Sequence, residues 1–268
     1  MRRPIVVAAL AGSLLVPASG AQEAPNLERR LSLVVGPLFI AQRDEQASPV
    51  RYGGATPFLQ VTYATRTNRR RVELRVGGAT GTLRSALTGA YDLPRQRTWR
   101  GWVELEYARR LRASDSRTRL LFGGLIAARG TLIHHLYDVP GSNDGGYAFF
   151  GTILGPVVAI ERMIGEHTTL KARLGIPVLA LIGRPYSVFY PLYIDHPPRA
   201  GGLRIRVATV DAFQAADFTA ACAAMLRPGA ELVVGYHLVV ERYRDVQPFR
   251  FASQGVSLAL ALRLGGAQ

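Results

Sequence analysis

Residues 256–264 read VSLALALRL. Val256, Leu258, Leu260, Leu262 and Leu264 alternate with Ser257, Ala259, Ala261 and Arg263. Successive side chains of a β-strand point to opposite faces, so this segment has one large apolar wall and one small or polar wall. The question for the rest of the chain is whether that period recurs, and over what length.

It recurs upstream. Residues 29–42 carry Leu31, Leu33, Val35 and Phe39 on one parity, and 55–66 set Leu59, Val61 and Tyr63 against Phe58, Gln60 and Thr62. In 70–79, Val72, Leu74 and Val76 alternate with Glu73 and Arg75; in 97–112, Val103, Leu105 and Tyr107 alternate with Glu104, Glu106 and Ala108. Residues 117–132 place Leu120, Phe122 and Ile126 against Arg119, Gly123 and Arg129. Residues 147–162 are apolar on both parities and 212–226 are Ala-rich, so their faces are not assigned. Residues 168–182 place Leu170, Ala172, Leu174 and Ile176 against Lys171, Arg173 and Gly175. Residues 230–243 set Leu232, Val234, Tyr236, Leu238 and Val240 against Glu231, Gly235, His237 and Glu241. With 250–264, period-2 counting predicts about ten strands.

The connectors alternate in length. Short ones fall at Thr67–Arg69, Ala113–Ser116, Met163–His167 and Arg227–Gly229; longer ones fall at 43–54, 80–96, 133–146 and 183–211, with a shorter last gap at 244–249. Membrane barrels have short turns on the periplasmic side and longer loops outside. Several strands also exceed the roughly 9–11 residues that cross a bilayer. Tyr and Trp lie near strand ends (Tyr52, Trp99, Tyr107, Tyr147, Tyr186, Tyr236, Tyr243), where an interfacial girdle would place some of them.

The N-terminal residues have the form of an export signal. Met1-Arg2-Arg3 is basic, Ile5 to Val16 is apolar, and Ser19-Gly20-Ala21 offers small residues for cleavage. The expected organisation is a signal peptide over 1–21 and one barrel domain over 22–268. The net charge is +14, and Lys171 is the only lysine. No nucleic-acid-binding module accompanies that charge, so outer-membrane lipid phosphates are the expected anionic partner and nucleic acid is not. The single cysteine, Cys222, excludes an internal disulfide framework and reads as a small wall residue.

If the apolar parity faces lipid, the other parity faces the lumen, because Arg or Lys at mid-bilayer costs roughly 2–4 kcal/mol. Glu73, Arg75, Glu104, Glu106, Arg119, Lys171, Arg173, His237 and Glu241 are therefore candidates for a lumen charge network. Such a network either fills a narrow barrel with salt bridges or lines a pore. In the long segment from Arg184 to Arg206, Arg184, Tyr186, Tyr190, Tyr193 and Arg199 are candidate outer-loop ligand residues, and the prolines there equally fit a stiffened lid.

Reaction chemistry is sparse. His134-His135 with Asp138 and Asp144 lacks metal-ligand spacing, and Asp195-His196 is a loop pair with no visible partner. No G-x-S-x-G elbow and no glycine-rich phosphate loop occurs. No metal, cofactor or catalytic residue is assigned.

On these features the chain resembles bacterial outer-membrane β-barrel proteins over nearly all of 22–268. The resemblance implies an all-β, closed, antiparallel up-and-down barrel in the outer membrane, inserted as a monomer by the barrel-assembly machinery. The last strand ends Leu262-Arg263-Leu264 without the terminal aromatic that such strands often carry. The expected role is non-enzymatic: a narrow pore, or a structural or surface-binding protein. The alternatives are an outer-membrane hydrolase acting on lipid or peptide, and a soluble periplasmic ligand-binding barrel.

Overall fold

The computed structural model describes residues 27–44, 50–85, 95–111, 117–136, 146–185, 203–244 and 248–265. The proposed signal peptide lies outside them. The strands are β1 (Glu28–Asp44), β2 (Tyr52–Arg66), β3 (Arg70–Ser85), β4 (Arg95–Arg110), β5 (Thr118–Leu136), β6 (Gly146–Ile164), β7 (Thr168–Gly175), β8 (Leu179–Pro185), β9 (Leu203–Thr209), β10 (Phe213–Arg227), β11 (Ala230–Tyr243) and β12 (Phe249–Arg263).

They make ten staves. β7 and β8 both pair with β6, β7 along Val157–Ile164 and β8 along Phe150–Leu154. β9 pairs with β8, and β10 pairs with β7. Each couple is one bent stave, and the ring closes antiparallel through β1–β12 and β5–β6. The bend has a local cause. Pro156 and Pro177 cannot donate to the ladder, and a Cβ on Gly155 would lie 2.3 Å from the Ile176 carbonyl oxygen. Residues 155–156 on β6 face 176–178, so the ladder carries a bulge, closed by Ile176 N–H to Pro156 O at 3.1 Å and Val178 N–H to Leu154 O at 2.9 Å.

The apolar parity faces outward. Leu258, Leu260 and Leu262 are 50%, 47% and 39% exposed, and Leu33, Val61, Val76, Val103, Ile126, Leu174 and Val234 share the same outer belt. Every backbone amide in such a closed ladder pairs within the sheet, which is the condition for spanning hydrocarbon. No helix among the described residues is long and apolar enough to cross a membrane. A soluble barrel would solvate this belt, so the soluble ligand-carrier alternative is set aside.

The strands outrun the bilayer. β5 and β6 have 19 residues each, whereas an apolar band of about 25 Å needs about ten. In the excess length on the long-loop side, the pattern inverts. Arg250 and Gln254 face outward on β12 while Phe249 and Phe251 are buried inside, at 0% and 2% exposure. Tyr52, Leu83, Ile133, Phe149, Ile182, Phe213 and Tyr243 fill the same end of the lumen. The rings of Phe149 and Phe249 stack with centroids 4.4 Å apart. Tyr52 and Tyr243 therefore belong to an internal core and are not among the girdle residues. Trp99, Tyr107 and Tyr236 do lie on the outer wall, and the side chains of Tyr147 and Tyr186 lie outside the described set.

Candidate functional site: the lumen

Below the aromatic cap, the inward parity is ionic. At the short-turn end, Arg30 Nη1 donates to Glu231 Oε2 at 2.5 Å and its Nε to Glu28 Oε1 at 2.5 Å. Arg66 and Arg71 both donate to Glu161, at 2.5 and 3.1 Å. In the next layer Arg75 bonds Glu73 at 2.7 Å and reaches Glu104 at 3.4 Å and Glu106 at 3.3 Å. Glu106 also accepts from Arg71 and Arg173.

The deepest layer crosses the barrel. Arg129 bonds Asp217 at 2.5 Å, Glu104 at 3.0 Å through Nε, and Glu241 at 2.9 Å. Arg173 Nη1 holds the other Asp217 oxygen at 2.9 Å. Arg100 bonds Glu241 at 2.8 Å and Thr131 at 3.1 Å, and its guanidinium lies 3.7 Å from the Phe251 ring centroid. β4, which carries Arg100, and β11, which carries Glu241, are five staves apart in either direction round the ring. That pair spans the diameter and joins the ionic layer to the aromatic cap.

Among the described residues the bonded cations are Arg30, Arg66, Arg71, Arg75, Arg100, Arg129, Lys171 and Arg173, with Arg263 at the short-turn rim; the anions are Glu28, Glu73, Glu104, Glu106, Glu161, Glu231, Glu241 and Asp217. Nine cations meet eight anions, and such a mixture of signs suits a filling network better than a wall selecting ions of one sign. Space remains between them. A cavity of about 250 Å³ runs from Phe58, Trp102 and His237 down to Arg30 and Lys171. Gly77 makes room for the Trp102 indole, since a Cβ there would lie 2.7 Å from the ring, and Trp102 Nε1 donates to Gln60 Oε1 at 3.0 Å.

The structure brings together Glu73, Arg75, Glu104, Glu106, Arg173 and Glu241 in this network. Lys171 stands at its edge, 4.0 Å from Glu231, and Arg119 sits opposite Glu161 in register. His237 bonds Ser257 Oγ at 2.8 Å and meets Phe58 edge-on. Arg184 is on β8, paired in register with Arg204 of β9, so the segment 183–211 is not one loop; Pro185 and Leu203 already face each other. Tyr186, Tyr190, Tyr193 and Arg199 lie outside the described residues. Cys222 is on the outward parity of the Ala-rich stave.

Sequence reasoning missed Arg100, Arg129, Asp217 and Glu161. Arg129 stood on the polar parity of its strand, and the register Glu104↔Ala127 puts it near Glu104 once pairing is known. Arg71, two residues beyond the Thr67–Arg69 turn, also points inward, to Glu106 and Glu161. Asp217 is hidden because the stretch around it is Ala-rich, and alanine marks neither wall. Among the described residues no group of His, Cys, Asp or Glu is arranged to hold a metal ion.

Ser257 and His237 form a nucleophile–base pair in the lumen. Gly235 makes the pair possible, because a Cβ there would lie 2.7 Å from Ser257 Oγ.

Fold and wall chemistry define the chain as a transmembrane β-barrel of the bacterial outer-membrane class. No family model matches the sequence. No curated protein matches it either. Among solved structures, the outer membrane protease OmpT from Escherichia coli matches with a TM-score of 0.56 at 9% identity, covering 90% of this chain and 97% of that one. The translocator domain of the autotransporter NalP from Neisseria meningitidis matches with a TM-score of 0.44 at 8% identity, over 91% and 90% of the two chains. The attachment invasion locus protein Ail of Yersinia pestis matches with a TM-score of 0.33 at 10% identity, over 88% and 99%. At these identities the OmpT likeness establishes a shared fold and nothing about activity.

Proposed function

We propose that this protein is a plugged, non-conducting barrel that serves the outer membrane as a structural or surface-binding element rather than as a pore. The observation carrying this reading is the Arg100–Glu241 pair, a salt bridge joining diametrically opposed staves beneath an apolar cap. A permeating ion would have to displace this pair, whose charges are buried and also held by Arg129 and Thr131. The proposed setting is a monomer held by outer-membrane lipid and inserted by the barrel-assembly machinery. Planar-bilayer recording tests the reading: the refolded protein should give no current above background, and discrete, reproducible conductance steps would overturn it.

The Ser257–His237 hydrogen bond favours one second reading, a hydrolase with Ser257 as nucleophile and His237 as general base. An active-site-directed fluorophosphonate tests it. Labelling that disappears in Ser257→Ala supports this reading. Absence of labelling leaves the pair as a packing contact.

A further inference from the structure

On the lipid-facing wall, Gly78, Gly101 and Gly130 stand side by side in register on β3, β4 and β5. Leu59 closes one end of the row and Phe150 the other. Trp99 and Leu132 rise on the long-loop side, and the result is an apolar hollow of about 1070 Å³ in the outer wall. A flat belt needs only bulky apolar residues; three adjacent glycines instead remove side chains where the neighbouring positions keep theirs.

Above the hollow is a positive fork. Arg84 and Arg95 face each other across β3 and β4, and Arg97 pairs with Thr82 one step below. Like charges directly opposed in a sheet repel unless an anion joins them. Among the described residues no carboxylate pairs with any of these arginines. The Arg97 guanidinium instead lies 5.6 Å from the Trp99 ring centroid, on the rim of the hollow. Gly101 to Arg97 is four residues, about 13 Å of strand, which suits the span from upper acyl carbons to a lipid phosphate.

We propose that this wall is a specific site for a phosphorylated, multiply acylated lipid of the outer leaflet, with an acyl chain lying on Gly78, Gly101 and Gly130 and a phosphate held by Arg84, Arg95 and Arg97. The assignment does not depend on whether the lumen conducts. The leaflet follows from the long connectors at this end, which face outside in membrane barrels.

The test is native mass spectrometry of the full chain released from phosphatidylcholine nanodiscs doped with lipid A, with dephosphorylated lipid A and phosphatidylglycerol as comparison probes. The wild type should retain one lipid A. Arg84→Gln/Arg95→Gln/Arg97→Gln should weaken retention by about a hundredfold, at about one kcal/mol per lost arginine. Gly101→Leu fills the floor without strain, since the nearest atom to a Cβ there is the Gly77 carbonyl oxygen at 3.9 Å. It should lower retention while circular dichroism and heat-modifiable mobility stay as in wild type. Equal retention by wild type and both variants would overturn the site. Equal retention of dephosphorylated lipid A would overturn the phosphate fork, and equal retention of phosphatidylglycerol would overturn the outer-leaflet assignment.

Discussion

One strand, β12, behaves as two kinds of protein along its length. From Val256 to Leu262 it is a membrane wall, with leucines outward and Ser257, Ala259 and Ala261 inward; from Phe249 to Gln254 it is a soluble-type core strand, with phenylalanines inward and Arg250 and Gln254 outward. The backbone parity does not change between them. What changes is the solvent outside, hydrocarbon in one stretch and water in the other, and the preferred residue on each face follows it. The lumen fills accordingly, with arginine–carboxylate pairs inside the hydrocarbon-bathed stretch and stacked aromatics inside the water-bathed one.

This contrast can be broken or sharpened by substitution, read as urea unfolding of the protein refolded in phospholipid vesicles. The largest effect is expected from Arg129→Ala, which takes from Asp217, Glu104 and Glu241 the one cation they share and leaves them to Arg173, Arg75 and Arg100; losing one partner of a buried ion cluster costs about 3–5 kcal/mol. Next is Leu258→Arg on the lipid wall, expected to cost about 2–4 kcal/mol. Gly77→Ala should cost about 1–3 kcal/mol by forcing the Trp102 ring to move. Smallest is Arg250→Gln on the water-bathed outer face, expected to stay within about 0.5 kcal/mol. If Leu258→Arg and Arg250→Gln cost the same, the two stretches share one solvent and the contrast fails.

The membrane stretch was legible in the sequence because its two walls differ so much: Leu258 beside Ala259, or Val103 beside Glu104, announces a period of two. The fold class, the stave count and the alternation of connectors came from that signal. The water-bathed stretch was not legible, for the same physical reason it exists. At Leu83 and Ile133 the apolar residue changes face, so an alternation tracked from the membrane side loses phase and β3 and β5 are ended too early, at 79 and 132; β12, read over 250–264, keeps nearly its full length. The Gly155-Pro156 and Pro177 bulge adds one more phase shift: the single strand read over 168–182 merges β7 with most of β8, and β9 falls inside the connector 183–211.

The lumen was half legible. Glu104 and Glu106 declared themselves by standing between Val103, Leu105 and Tyr107, but sequence contains no register, and register decides which charges meet. The Arg100–Glu241 contact joins residues far apart in the chain and on opposite staves, and no local pattern encodes it. Asp217 lay among alanines and Arg71 beside a turn; both became visible only when β10 and β3 were placed in the ring.

Nitroxide labels placed singly along 249–262, in a Cys222→Ser background and in vesicles, test the inversion most directly through their accessibility to oxygen and to a water-soluble nickel chelate. Labels at 256, 258, 260 and 262 should favour oxygen, a label at 250 should favour nickel, and labels at 249 and 251 should be shielded from both. Oxygen-dominated exposure at 249 and 251, or nickel-dominated exposure at 258 and 260, would contradict the account.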